Sequence, residues 1–334
     1  MNYRILSKYR SELMGVAMLW VMFFHASDLD MGHPLLEWIR AAGFGGVDIF
    51  ILLSAMGLVL SLSKKEQDYV SFMHRRMERI LPAYYTVALP YTLFLILYKG
   101  VFWSALVWNT TLLYYWMRSS GAFNWYVAGI MTFYAVTPFC FRKLRDARNR
   151  EKLVGIGVLC SFLLCQLFVR EGYWYIVDVA YRVPVFFLGL LLGFYVLENR
   201  RLGKKDVLFW LVWLGLGVLY LMGRGLGVPE DVWMFPLCHL FLFTTVPMCF
   251  GLGFLFEKLP LGWLRKFLRL VGENSLEIYL LNVSVFCETA LWRKILVFGP
   301  TNRLYWLVSF GLNILCGVGL HLILTGFKKK RGFP

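Results

Sequence analysis

Charge is scarce in this chain, and acidic charge scarcest. Only 16% of its 334 residues are charged, with 20 Asp and Glu against 35 Lys and Arg. Soluble domains carry about 25% charged residues, and here 59% of the residues are hydrophobic and 18% aromatic. That balance excludes a soluble globular protein. No polar stretch is long enough for a sizeable extra soluble domain. The seven cysteines (Cys140, Cys160, Cys165, Cys238, Cys249, Cys287, Cys316) lie in or beside apolar runs without C-x-x-C spacing. They indicate neither a disulfide framework nor a zinc site, and read as packing residues. Alternating strand patterns, internal repeats and low-complexity segments are missing too. No cleavable leader is expected, because the first apolar run is followed by Asp28-Leu-Asp30 rather than a small-residue cleavage site. The basic excess does not point to nucleic acid. It is cut into short loops between apolar runs, the orientation signal of membrane proteins.

What is present is a succession of apolar runs of the length needed to cross a bilayer, about 20 residues each. Ten are expected: Ser11–Asp28, Gly43–Ser63, Ile80–Tyr98, Phe123–Phe141, Leu153–Val169, Val179–Leu197, Val207–Gly223, Val232–Phe256, Val271–Leu291 and Leu304–Phe327. The expected fold is an all-α polytopic membrane helix bundle of about ten transmembrane helices, forming a single domain over residues 1–334. Twenty-six of the 35 Lys and Arg fall on one side of this arrangement. That places both termini in the cytoplasm. The outer segment from Lys99 to Gly121 carries Phe102, Trp103, Trp108, Tyr114, Tyr115 and Trp116. An interfacial helix is the plain reading and a sugar-stacking surface the sharper one.

Several polar groups stand where apolar ones are expected. Asp48 lies within Gly46-Val-Asp-Ile-Phe-Ile-Leu-Leu-Ser-Ala-Met-Gly57, apolar on both sides. An ionisable group at that depth costs ~2.5–3.5 kcal/mol on insertion scales unless it is paired or faces a wet cavity. His25 ends the preceding apolar run. A short loop joins the two spans, so the residues are expected at similar depth. A carboxylate beside an imidazole fixes its tautomer, and a histidine so held can take a proton from a hydroxyl. The alternative is a helix–helix hydrogen bond from His25 and a backbone contact from Asp48. Arg75, Arg76 and Arg79 share one helical face ahead of Pro82. Their forks suit phosphates, and equally lipid headgroups. Arg182 stands four residues after Asp178, an available ion-pair partner. Glu277 could cap a helix or pair with Arg265 or Arg269. His239 and His321 are single intramembrane histidines with no visible partner and read as structural.

Six stretches, taken together, resemble one family. They are Met14-Gly-Val-Ala…Phe24-His25, Gly46-Val-Asp-Ile-Phe…Ser54, Arg75-Arg76-x-x-Arg79-Ile-Leu-Pro82, Asn124-Trp125…Phe133-Tyr134…Pro138, Arg182-x-Pro184-x-Phe-x-x-Gly189 and Gly272-x-x-Ser275-Leu-x-Ile-Tyr279-Leu280. In this order they resemble the acyltransferase-3 family of integral membrane acyltransferases, which modify bacterial surface glycans and lipids. The resemblance implies transfer of an acyl group, usually acetyl, from cytoplasmic acyl-CoA to a sugar hydroxyl. It makes His25 the catalytic base and Arg76 and Arg79 the donor-holding pair. Three departures stand out. Met14 occupies a position often basic in the family, with Arg10 one turn earlier. Asn282 replaces a late-span histidine. The acidic residue often found after the fourth-span tryptophan is missing. The periplasmic esterase-like domain of some members is also absent, so an acyl relay is expected to be completed here or by a partner.

The expected mechanism follows. Acyl-CoA docks on Arg75, Arg76 and Arg79 as a co-substrate, with no metal and no tightly bound cofactor. His25, oriented by Asp48, activates the acceptor hydroxyl. Arg182, Asn124 and Ser54 are the candidate oxyanion donors, and Arg182, Asn124, Trp125 and Glu277 the candidate acceptor-side residues. The expected partners are acyl-CoA, a glycan or lipid-linked sugar, membrane lipids, and a second copy or a polysaccharide-assembly protein. The expected location is the bacterial cytoplasmic membrane. The rival reading is a transporter or flippase for a glycan or lipid, with Asp48, Arg182 and Glu277 lining a polar path.

Overall fold

A computed structural model of the chain describes residues 2–64, 67–117, 123, 125–225, 239–260, 262–286 and 303–330. Helices dominate the described residues, and seven are long and apolar enough to cross a membrane: Pro34–Lys64, Tyr69–Lys99, Arg150–Arg170, Tyr175–Leu197, Lys204–Met222, Leu240–Lys258 and Arg303–Gly326. The protein is an all-α polytopic membrane protein. The other three expected spans fall on shorter or less apolar helices, Arg10–His25, Trp125–Asp146 and Ser275–Phe286.

The chain divides into two compact units. The first comprises Met1–Leu13, Val47–Tyr69 and Gly129–Gly262. It holds α1 (Arg4–Lys8), most of α4 (Gly46–Lys64), most of α7 (Trp125–Asp146), α8 (Arg150–Arg170), α9 (Trp174–Ala180), α10 (Val183–Leu197), α11 (Lys204–Gly225) and α12 (Leu240–Lys258). α10 is apolar all round and almost wholly buried, as such a helix must be in the centre of a bundle. Glycines let it approach α4 closely. A Cβ on Gly189 would lie 2.5 Å from the Leu52 carbonyl oxygen. Phe186 and Phe194 of α10 stack on Phe133 and Phe141 of α7. By contrast α8 and α11 turn most of their apolar surface outward, toward lipid.

The second unit comprises Met14–Gly46, Val70–Ala128 and Trp263–Pro334. It holds most of α2 (Arg10–His25), α3 (Pro34–Ala41) with the 3-10 turn Ala42–Gly45, α5 (Tyr69–Lys99), α6 (Ser104–Thr110), α13 (Gly262–Glu273), α14 (Ser275–Leu281) running into a π-turn over Asn282–Phe286, and α15 (Arg303–Lys330). The expected ninth span is broken at Asn274, whose side-chain amide donates to the Leu270 carbonyl. It follows the strongly amphipathic α13, whose charged and apolar residues separate onto opposite faces. Gly15 of α2 meets the Leu268 carbonyl of α13 so closely that no Cβ fits.

The segment after α5 corrects the expectation of a flat interfacial helix. α6 has only seven residues, and it folds back along α5 instead. Asn109 donates to Thr92 at 2.8 Å, Tyr84 donates to the Asn109 carbonyl at 2.9 Å and Tyr85 to the Thr110 carbonyl at 2.9 Å. Lys99 to Tyr84 is fifteen residues, about 22 Å of helix. Non-helical backbone is tolerated at membrane depth only where protein covers it. Asn109 meets that condition by accepting from the Phe123 backbone N–H while itself buried. Of the six aromatics, Phe102 and Trp103 are exposed, whereas Tyr114 and Tyr115 are buried.

Candidate active site

The second unit gathers most of the described candidate residues around α14. Each turn of this short helix meets a different neighbour. Glu277 meets His321 of α15 at 3.0 Å. Ile278 packs where Gly317 has no side chain. The ring of Tyr279 sits 5.0 Å from that of Tyr126, edge to face. One turn further on, Asn282 reaches His25, with Oδ1 2.6 Å from Nδ1. In the tautomer that donates Nδ1–H to this amide oxygen, Nε2 presents its lone pair. That is the tautomer a general base requires.

His25 is the last residue of α2 and half-buried. The expected Asp48–His25 pair is corrected on both sides. Asn282 takes the ring, and the Asp48 carboxylate stands 3.4 Å from Nε of Arg182 in the first unit. Gly46, two residues before Asp48, packs on the Ala17 carbonyl, a Cβ there lying only 2.5 Å away. Ala17 is eight residues before His25, about 12 Å along α2. Arg182 also reaches the segment that carries Asp178. It donates Nη1 to the Asp178 backbone carbonyl at 2.6 Å and lies over the Tyr181 ring. Asp48 and Arg182 are fully buried together, so the ion pair joins α4 to α10 in a dry interior.

Arg75 and Arg79 are exposed and Arg76 is half-buried with its guanidinium over the Phe72 ring. They sit on α5 about one and a half to two and a half turns before Tyr84. Tyr84 touches Phe123, Tyr126 follows three residues later against Tyr279, and Asn282 is three residues beyond that. The ring pairs Tyr84–Phe123 and Tyr126–Tyr279 and the His25–Asn282 hydrogen bond therefore link α5, the entry to α7, α14 and the end of α2 within one unit. Trp125 is half-buried at the start of α7, its ring 6.0 Å from that of Tyr126. Asn124 lies outside the described residues. Ser54 is half-buried on α4. Arg10 donates Nε to the Leu53 carbonyl at 3.2 Å and packs beside Gly57.

Two further expectations change. Glu277 pairs with His321 rather than serving as a cap, so His321 does have a polar partner. His239 has one as well: its Nε2 lies 2.8 Å from Gln166 Nε2, with Phe162 and Tyr181 around the ring. The functional residue that reading the sequence passed over is Asn282. Its signal was visible only as a departure, an amide where the family's pattern has a histidine.

No curated protein and no solved structure matches the chain at a significant level. Residues 13–322 match the family model Acyl_transf_3, an acyltransferase domain. This match takes in His25, the arginine face, Asp48–Arg182 and Asn282, and the chain belongs to the acyltransferase-3 family of membrane acyltransferases.

Proposed function

We propose that the protein is an O-acyltransferase of the bacterial cytoplasmic membrane, both termini inside, that moves an acyl group, acetyl foremost, from cytoplasmic acyl-CoA to a hydroxyl of a surface or lipid-linked glycan. The observation that carries this reading is the His25–Asn282 hydrogen bond, which leaves Nε2 free to act as base. The phosphates of acyl-CoA dock on Arg75, Arg76 and Arg79, and the thioester arm passes the ring pairs Tyr84–Phe123 and Tyr126–Tyr279 toward His25. Nε2 takes the proton of the acceptor hydroxyl as its oxygen attacks the thioester carbonyl carbon. The tetrahedral intermediate collapses, the C–S bond breaks, and the imidazolium returns the proton to the departing thiolate. Asp48 and Arg182 tie α4 to α10 in this scheme and do not touch the reacting atoms. Trp125, at the start of α7, and Glu277, on α14, stay on the acceptor side. The test is thiol release from acetyl-CoA by the purified full chain in lipid nanodiscs, with mass spectrometry of surface glycan from cells carrying each variant. His25→Ala is expected to abolish both signals. Full release by His25→Ala removes the imidazole from the reaction.

A further inference from the structure

Asn313 is fully buried in α15, and neither atom of its side-chain amide has a hydrogen-bond partner among the described residues. Buried amides are nearly always satisfied, and an exception in a native structure calls for an explanation such as a bound group or a catalytic role. The helix register shows where this one points. Gly317, one turn later, is the glycine against which Ile278 packs, its Cβ position 2.9 Å from the Ile278 Cα. His321, one turn further, meets Glu277. Trp306, seven residues earlier and so on the same helical face, is buried with Ala26 and Leu29 beside the end of α2. Asn313 therefore faces the groove between α2 and α14. Counting four residues outward from the Gly317–Ile278 contact reaches Asn313 on α15 and Asn282 on α14, about 6 Å along each helix. The orphan amide stands at the level of the residue that holds His25.

We infer that Asn313 is the oxyanion donor of the acyl transfer: its amide N–H donates to the thioester carbonyl oxygen as that oxygen gains charge. This inference rests on the acyl-transfer reading. It gives a use for an amide that has no structural partner, and it supplies the donor that a tetrahedral intermediate requires. Asn313 forms no covalent bond to the substrate. The electron pair of the carbonyl π bond moves onto oxygen beside it and returns when the C–S bond breaks.

The experiment is thiol release from acetyl-CoA by the full chain in nanodiscs, comparing the parent with Asn313→Leu, Asn313→Gln and His25→Ala, alongside their melting temperatures. Leu keeps the branched shape and heavy-atom count of Asn, though it is bulkier, and needs no hydrogen bond. Asn313→Leu is expected to melt no lower than the parent while kcat falls about 100- to 1,000-fold, the usual cost of one oxyanion donor, with KM for acetyl-CoA little changed. Asn313→Gln is expected to regain part of the rate. A kcat within a few-fold of the parent, or a loss of rate that follows a matching loss of melting temperature, overturns the assignment. If His25→Ala is inactive while Asn313→Leu is not, only this inference falls. A parent that releases no thiol, or a fully active His25→Ala, removes the acyl-transfer reading and this inference with it.

Discussion

Replacing Asn282 by Leu separates a histidine that is merely buried from one that is oriented. The side chain keeps its branched shape but loses the oxygen 2.6 Å from His25 Nδ1. A buried donor left without a partner costs about 1–3 kcal/mol. That energy is what holds the ring in the tautomer and rotamer presenting Nε2 to the acceptor. If it is lost from the reactive arrangement, kcat should fall by about 5- to 150-fold at ~1.4 kcal/mol per tenfold. His25 is only half-buried, so water can replace part of the bond, and the lower half of that range is expected. KM for acetyl-CoA should not move, because the proposed phosphate site lies on a different helix. Asn282→Asp is the companion measurement. A carboxylate can accept from Nδ1–H but cannot donate, so Asn282→Asp should retain activity where Asn282→Leu loses it. The assay is thiol release across a range of acetyl-CoA concentrations. Unchanged kcat in Asn282→Leu, or a loss confined to KM, refutes the orienting role; equal losses in both variants mean that the ring accepts from the amide instead.

The remaining predictions concern other parts of the structure. Asp48→Ala strands Arg182 in a dry interior and should destabilise the protein by about 3–5 kcal/mol, whereas the double variant Asp48→Leu/Arg182→Met should melt near the parent and still release thiol; a stable but inactive double variant would move the pair into the chemistry. Arg76→Ala and Arg79→Ala should each raise KM for acetyl-CoA about tenfold, matching the ~1.5 kcal/mol low end for a hydrogen bond to a charged group, and leave kcat intact; unchanged KM would assign the arginines to lipid headgroups. Gly15→Ala drives a methyl into the Leu268 carbonyl and should cost about 1–3 kcal/mol by overpacking, read as a lower melting temperature; an unchanged one would show that α13 yields.

Helix type was largely legible because a bilayer leaves so few backbone solutions. The depth of individual residues was not. Asp48 seemed level with His25 because Gly43 looked like a helix start after the polar segment near Asp30. In the structure Gly46 packs on the Ala17 carbonyl, eight residues before His25 on α2. The return of the 99–123 segment along α5 was equally hidden, since its aromatics suit a headgroup layer as well as a protein interior. What decides between those environments is Asn109, a polar residue whose partners Thr92 and Tyr84 lie 17 and 25 positions away in sequence. The arginine face, by contrast, was legible from local spacing alone, because i, i+3 and i, i+4 neighbours share a face on any helix.

The substitution at Asn282 also constrains how the proton travels. A histidine at that position could take a proton from His25 and pass it on. A carboxamide can hold the ring but cannot be protonated at working pH. Whatever proton His25 removes from the acceptor must therefore leave from the same ring nitrogen that received it, and the nearest base generated by the reaction is the thiolate. This makes proton removal and proton return two halves of one turnover at a single imidazole, with the acceptor oxygen and the leaving sulfur presented in succession to Nε2. It also explains why orientation matters more here than basicity: a ring that rotates between the two halves strands the proton. On this account a solvent isotope effect on thiol release should be larger in Asn282→Leu than in the parent, since a ring seldom in the reactive orientation slows the proton transfer itself and makes that step more fully rate-limiting. An isotope effect that is the same in both proteins would return the proton's exit to bulk water.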